Sequence, residues 1–223
     1  MRLPALLDAK KSFIFLQVAK KGSGKTENTI KLLTDKRALK GIFDRIIIIC
    51  PTFLLQDTWK KIDKEGIFVY LEFSPELLEQ IMKQQTEDKS VKTLLILDDN
   101  GEDILKGGCN KLFHKMVANS RHINLSILWN AQRLSQIPTY VRANMDIMAM
   151  WPSSSTRERE ICYNEVSILR KTTFMNMFNY GTQEPFSCFV CKFEDSQMKY
   201  YKNFDEIINN DTIGSRFEIP CES

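Results

Sequence analysis

Phe13-Ile14-Phe15-Leu16-Gln17-Val18 runs without a break into Ala19-Lys20-Lys21-Gly22-Ser23-Gly24-Lys25-Thr26, and then into Glu27-Asn28-Thr29-Ile30. The first six residues have the composition of a buried strand. The stretch from Glu27 to Leu39 reads as a helix, with Ile30 and Leu33 on an apolar side and Lys31 and Lys36 on a wet one. Strand, glycine-rich turn and helix in that order are the setting of a phosphate-binding loop. Backbone N–H groups of the turn cradle phosphates, and the positive end of the helix faces them. Lys25 then reaches the outer phosphates, and the Thr26 hydroxyl is placed to ligate Mg²⁺. The nucleotide-binding residues expected from this stretch are Ala19, Lys20, Lys21, Gly22, Ser23, Gly24, Lys25, Thr26 and Glu27. Ala19 stands at the first loop position, where glycine is commoner, and is the smallest replacement for it.

Outward from the loop, strands and helices alternate. Arg45 to Cys50 is a β-branched run ending at Pro51, the pattern of a strand buried on both faces. A helix is expected around Leu55 to Lys64, a short strand over Ile67 to Phe73, and a helix capped by Ser74 with Pro75 at its first position. Val91 to Leu97 is a third strong strand, ending in Asp98-Asp99 before an Asn100-Gly101 turn. A helix over Ile104 to Ala118 follows, then strands over Leu125 to Trp129 and Asp146 to Trp151. Ser155-Thr156-Arg157-Glu158 has the spacing of a capping box and opens a helix to about Leu169. A helical piece covers Phe174 to Asn179, and Phe186 to Phe193 with Gln197 to Tyr201 read as a hairpin added at the sheet edge. The fold expected is a doubly wound α/β domain on a mostly parallel sheet, spanning 1–204 with a tail over 205–223.

Composition narrows the class. The chain has 223 residues and 43% apolar content, enough for one well-filled core. No apolar run reaches the roughly 18–20 residues of a membrane span, and the N-terminus lacks the pattern of a secretory signal, so a soluble intracellular protein is expected. The cysteines, at 50, 109, 162, 188, 191 and 221, form neither a disulfide framework nor a metal grid. Cys188 and Cys191 make a C-x-x-C inside a strand-like run and are read as buried strand residues. Net charge is +3, but residues 1–64 carry 14 Lys/Arg against 6 Asp/Glu, a local +8 that leaves −5 for the rest. That asymmetry, with Lys10, Lys11, Lys20, Lys21, Lys60, Lys61 and Lys64 in it, permits nucleic-acid contact and equally fits a solvated face.

Two acids turn nucleotide binding into hydrolysis. In Leu94-Leu95-Ile96-Leu97-Asp98-Asp99 an apolar strand delivers Asp98 to the carboxyl edge of the sheet, where it can join Thr26 around Mg²⁺. Asp99 is the candidate to orient and deprotonate the attacking water. Trp129-Asn130-Ala131-Gln132 brings an amide to the same edge, and Gln132 is the candidate sensor of phosphate state. Multimeric phosphate-driven motors often need a cation supplied by the neighbouring subunit, for which Arg121 and Arg142 are the candidates. His114 and His122 are too isolated for a metal site, and no serine or cysteine has a recognisable base partner.

The run Leu94 to Gly101, then Asn119-Ser120-Arg121-His122-Ile123-Asn124 through Gln132, then Ile137 to Asp146, and the closing Phe186-Ser187-Cys188-Phe189-Val190-Cys191-Lys192-Phe193 together resemble the FtsK/HerA superfamily. Within it the chain is similar to the poxvirus-type virion-packaging ATPases of large DNA viruses, virophages and related elements, over roughly residues 3–204. The resemblance implies a P-loop NTPase of the ASCE/RecA-like type, three-layered α/β/α, with ATP and Mg²⁺ as ligands. It implies a homo-oligomeric ring, commonly hexameric, that pumps double-stranded DNA into a preformed capsid and meets capsid or portal-vertex proteins. The implied place of action is the host-cell cytoplasm or viral factory, with association to the virion. Carried over residue by residue, Lys25 and Thr26 bind nucleotide and Mg²⁺, Asp98 and Asp99 form the Walker B pair, Gln132 is the sensor, and Arg121 and Arg142 match family arginines. The departures are Ala19 at the loop's first position and Ser120 where the family often has glycine before Arg-His. Two other readings share the loop: a nucleotide-kinase-type phosphotransferase, and a nucleotide-gated assembly protein with little turnover.

Overall fold

The computed structural model describes residues 11–62, 65–99, 104, 108–153, 155–194 and 197–209. Among these, nine strands form one sheet: β1 (Ile14–Val18), β2 (Arg45–Ile49), β3 (Ile67–Tyr70), β4 (Thr93–Asp98), β5 (Leu125–Ala131), β6 (Ile147–Met150), β7 (Phe189–Glu194), β8 (Gln197–Lys202) and β9 (Glu206–Ile208). Their order is β3-β2-β4-β5-β1-β6-β7-β8-β9. Pairing is parallel from β3 to β6 and antiparallel from β6 to β9. The expected α/β class, mostly parallel sheet and edge hairpin are all present. A third antiparallel strand, β9, lies past residue 204, so the sheet runs into the stretch expected as a tail.

The apolar runs of the central strands follow from burial on both faces. Ile14, Leu16 and Val18 face one core with Ile47, Ile49, Leu95, Leu97, Ile127 and Trp129. Phe15, Ile48, Leu94, Ile96 and Leu128 face the other. Alternate residues of each strand supply alternate faces, so neither face of the sheet can be polar over its centre. The first core is covered by α2 (Pro75–Glu87), α3 (Cys109–Asn119), α4 (Thr139–Arg142), α5 (Thr156–Val166) and α6 (Lys171–Gly181). The second is covered by α1 (Lys25–Thr34) and the segments around Leu39, Trp59 and Phe204. Cys188 falls in the second core and Cys191 in the first, which separates the C-x-x-C pair across the sheet and leaves both as apolar filling. At Gly181, an added Cβ would meet Phe189 atoms at 2.9–3.2 Å, so glycine is what lets α6 close onto β7.

Several elements differ from expectation for identifiable reasons. The first helix stops at Thr34 rather than Leu39: Asp35 accepts from the Arg37 backbone N–H at 2.8 Å, and Leu39 N–H turns back to Leu32 O at 2.9 Å, burying Leu39. The helix expected over 55–64 is two 3₁₀ segments, Phe53–Leu55 and Asp57–Lys61, with Gln56 extended between them. Stacking of Trp59 on Phe53, with ring centroids 5.5 Å apart, holds that break. The helix begun at Ser155 ends at Val166, and its cap is only half of a box. Ser155 Oγ accepts from Glu158 N–H at 3.3 Å, but the Glu158 carboxylate turns away to accept from Leu134 N–H at 2.5 Å and from the Ser135 hydroxyl at 2.6 Å. Ser74, by contrast, caps α2 as expected, accepting from Leu77 N–H at 3.2 Å. The expected turns at Asn100-Gly101 and Asp195-Ser196, and Lys10 and Lys64, lie outside the described residues. No described helix is long and apolar enough to cross a membrane.

Candidate functional site

The phosphate loop leaves the end of β1 and enters α1. Gly22 and Gly24 have φ of +80° and +91°, the left-handed region that side chains resist. Ala19 does not have a positive φ; it is buried and donates its N–H to Ala131 O at 3.1 Å, so the methyl group sits in the loop without distorting it. Lys25 is buried, and its Nζ donates to Ala19 O at 2.6 Å and Lys20 O at 3.3 Å. Burial pushes its ammonium below the ordinary lysine range, while Asp99 and Asp98 oppose that shift.

Beneath the loop lies a polar network that no motif pointed to. Gln17, Thr29 and Asn130 are all 0% exposed on the α1 side of the sheet. Thr29 Oγ1 donates to Lys25 O at 3.1 Å and accepts from Gln17 Nε2 at 2.9 Å and Asn130 Nδ2 at 3.1 Å. Asn28 closes the network on Gln17 Oε1 at 2.8 Å. Asn130 also donates to Asp98. The signal available in the sequence was polarity out of place: Gln17 interrupts an apolar strand, and Asn130 interrupts another. A fully satisfied buried network fixes the relative positions of its members. Here those members are the base of the loop, the start of α1 and the ends of β4 and β5.

A cleft of about 500 Å³ opens above this network, lined by the loop from Lys21 to Glu27, by Thr52, Leu55, Gln56 and Thr58, and by Asp98 and Asp99. Asp98 is 1% exposed, and the Thr26 hydroxyl donates to its Oδ2 at 3.1 Å. Burial, and then the neighbouring Asp99, hold the Asp98 carboxyl above the usual carboxylate range. Cys50, whose Sγ lies 3.9 Å from the same oxygen, is pushed up to about 11 by burial and remains a thiol. Asp99 follows β4 with φ of +57°, a conformation aspartate tolerates. Gln132 Nε2 donates to Asp99 Oδ1 at 3.3 Å. Lys25, Thr26, Asp98, Asp99 and Gln132 thus meet at one edge of the sheet. Glu27, which also lines the cleft, is held in an exposed ion pair with Lys61 at 2.9 Å.

Hard oxygen donors suit Mg²⁺, which is held by one or two carboxylates and completed by phosphate and water. A desolvated acid beside a hydroxyl, with a second acid adjacent, fits that ion. Among the described residues no group of three or more His, Cys, Asp or Glu forms a metal cage.

The structure does not bring the two arginines to this cleft. Arg121 precedes β5 and pairs with Asp146, which precedes β6, at 2.6 Å. Asp146 also accepts from Ile14 N–H at 2.8 Å, so the pair sits at the amino end of the sheet, opposite the loop. Arg142, at the end of α4, is turned inward onto Glu165, onto Ile137 O at 3.0 Å and onto Thr139 Oγ1 at 3.1 Å. Its side chain is 14% exposed against 70% for Arg121. Arg142→Ala is expected to cost about 2 kcal/mol, because Glu165 loses its partner in a mostly buried setting, and to lower Tm by roughly 4–8 °C. Arg121→Ala is expected to cost under about 1 kcal/mol. Thermal unfolding of both variants checks the difference; equal effects would remove the structural role assigned to Arg142.

A family model described as Poxvirus A32 protein matches residues 6–197. No curated protein sequence matches the chain. Among solved structures, the chain is similar to B204, the DNA-packaging ATPase from Sulfolobus Turreted Icosahedral Virus, with a TM-score of 0.63 at 13% identity over 84% of this chain and 96% of that one. It is similar to the genome packaging NTPase B204 from Sulfolobus turreted icosahedral virus 2 in complex with AMP, with a TM-score of 0.62 at 16% identity over 87% and 98%. The cytoplasmic domain of the Thermomonospora curvata Type VII Secretion ATPase EccC matches with a TM-score of 0.55 at 14% identity, covering 91% of this chain and 27% of that one. At these identities the likeness is one of fold: the P-loop ATPase architecture extends over most of the chain.

Proposed function

The chain belongs to the poxvirus A32 protein family, and from that membership we propose that it is the ATP-driven motor that moves double-stranded viral DNA into a preformed capsid. The observation that carries this reading is the meeting of Lys25, Thr26, Asp98, Asp99 and Gln132 at one sheet edge, in a fold shared with viral genome-packaging NTPases. In this reading the loop's N–H groups and Lys25 bind the phosphates. Thr26 and Asp98 would hold Mg²⁺, which when bound neutralises charge on the outer phosphate oxygens. Asp99 accepts the proton of the attacking water as its oxygen bonds to the γ-phosphorus. The bond to the β-phosphate oxygen breaks, and ADP and phosphate leave. Gln132, hydrogen-bonded to Asp99, ties the position of that acid to the strand that reports phosphate state.

In this reading a neighbouring subunit of a ring supplies the cation that completes hydrolysis. Arg121, exposed and ion-paired with Asp146, is the better placed of the two expected arginines to act across such an interface. Its partners in this reading are duplex DNA, further copies of the chain in a hexameric ring, and a capsid or portal-vertex protein in the viral factory or host cytoplasm. The test is the ATPase rate with and without duplex DNA, on material of measured oligomeric state. Several-fold stimulation of a ring by DNA is expected. A ring that hydrolyses ATP at a rate indifferent to DNA rules out the translocase reading, and phosphate transfer to a nucleotide acceptor would replace it with a kinase.

A further inference from the structure

Glu184-Pro185-Phe186-Ser187 forms a tight turn closed by Ser187 N–H to Glu184 O at 3.1 Å. Proline stands second and Phe186 third, with φ of +62°. That is the type II pattern, whose third position calls for glycine or asparagine. A bulky aromatic there is strained, and such strain persists only where surrounding contacts impose it. Several do. The Ser187 hydroxyl donates to Glu184 O at 2.7 Å and accepts from Glu184 N–H at 3.2 Å. Lys202 holds the Glu184 carboxylate at 2.7 Å, and Cys188 N–H donates to Asn203 Oδ1 at 3.0 Å. The ring gains nothing from the core in return, since Phe186 is 76% exposed.

Its location gives the strain a purpose. β7 begins just after the turn, and Phe189 pairs with Met150 at the carboxyl end of β6, so the turn lies at the same sheet edge as the phosphate loop. A Cβ built on Gly24 would lie 4.0 Å from Phe186 Cδ1. In the sheet, β1 and its loop lie between β4, which carries the acids, and β6–β7, which carry this turn. A nucleotide whose terminal phosphates face Asp98 and Asp99 has room to lead its nucleoside away from them past Gly24, where Phe186 stands.

We propose that Phe186 is the platform on which the nucleobase of the bound nucleotide stacks. The inference rests on nucleotide binding at the loop, and goes beyond it by assigning the base site. A phenyl face attracts any base and carries no hydrogen-bonding group to choose among them, so the platform accepts adenine and guanine alike.

Titration calorimetry on the full chain, with oligomeric state recorded, tests this with three probes: ATP, GTP and inorganic triphosphate. Phe186→Ala is expected to weaken ATP and GTP about tenfold each, leaving triphosphate unchanged, and Phe186→Trp to keep wild-type affinity. Phe186→Gly is expected to bind like Phe186→Ala while raising Tm, because glycine accepts the positive φ. Equal ATP affinity in wild type and Phe186→Ala overturns the proposal, as does an equal loss for triphosphate, which would place the effect on the loop. Loss of assembly with intrinsic affinity intact also overturns it, and assigns the ring to a subunit contact. Wild-type protein that binds neither ATP nor triphosphate would instead sink the nucleotide-binding reading itself, and the base site with it.

Discussion

Asp99→Asn is expected to lower the rate of ATP hydrolysis by about 10²–10⁴-fold, the usual worth of a positioned general base, while ATP affinity stays within about threefold. The two numbers separate because the substitution is nearly isosteric. Asparagine tolerates the left-handed conformation at this position, where φ is +57°. Its amide still offers an oxygen to Gln132 Nε2, which donates to Asp99 Oδ1 at 3.3 Å in the native site. What disappears is the basic carboxylate. A second consequence works in favour of binding: Asp99 is one of the two causes that hold Asp98 above the carboxylate range, so its neutralisation lets Asp98 ionise more readily beside Thr26. Single-turnover phosphate release alongside direct ATP titration measures both quantities. Hydrolysis at the native rate would take the base role from Asp99, whereas parallel losses of rate and affinity would make it a binding residue instead.

How far the site was legible depended on what kind of signal each residue left. The loop, β2, β4 and β5 were readable because strands buried on both faces are mostly apolar, and an acid pair ending such a run stands out. Gln17 and Asn130 carried the opposite signal, polarity inside those same runs, but the meaning of each depends on the other and on Thr29, which are joined only in space. Where the arginines lie in their own subunit was not legible, for a directional reason. Adjacency to a strand says nothing about which end of a parallel sheet a residue occupies, and Arg121 stands before β5, at the amino end. Phe186 was hidden by its neighbours: an aromatic in Phe186 to Phe193 reads as the start of a strand, yet the strand begins at Phe189 and Phe186 belongs to the turn. The broken 3₁₀ pair at 53–61 escaped likewise, because its lysines and apolar residues fit helical spacing while the Phe53–Trp59 stack decides the backbone.

Lys25→Ala is expected to weaken ATP binding by about 10²–10³-fold, roughly 3–4 kcal/mol, the scale of a lost charge-assisted contact to phosphate. Fold stability should change little. Lys25 donates to its own loop, to Ala19 O at 2.6 Å and Lys20 O at 3.3 Å, and burial disfavours its charge. Removing it therefore discards two hydrogen bonds and a desolvation cost together, and these offset to within about 1 kcal/mol, or about 2–4 °C in Tm. With nucleotide the balance tips. Phosphates bring negative charge to a desolvated ammonium that Asp99 and Asp98 already draw toward its charged form. The measurement is the rise in Tm on adding ATP at about one hundred times the native Kd. Native protein should gain about 2.7 kcal/mol from ligation; Lys25→Ala, its Kd raised to or above that concentration, should gain less than about 0.5 kcal/mol. A full ATP-dependent shift in the variant would mean that the loop's backbone N–H groups suffice, and that the buried ammonium serves the loop's own carbonyls rather than the nucleotide.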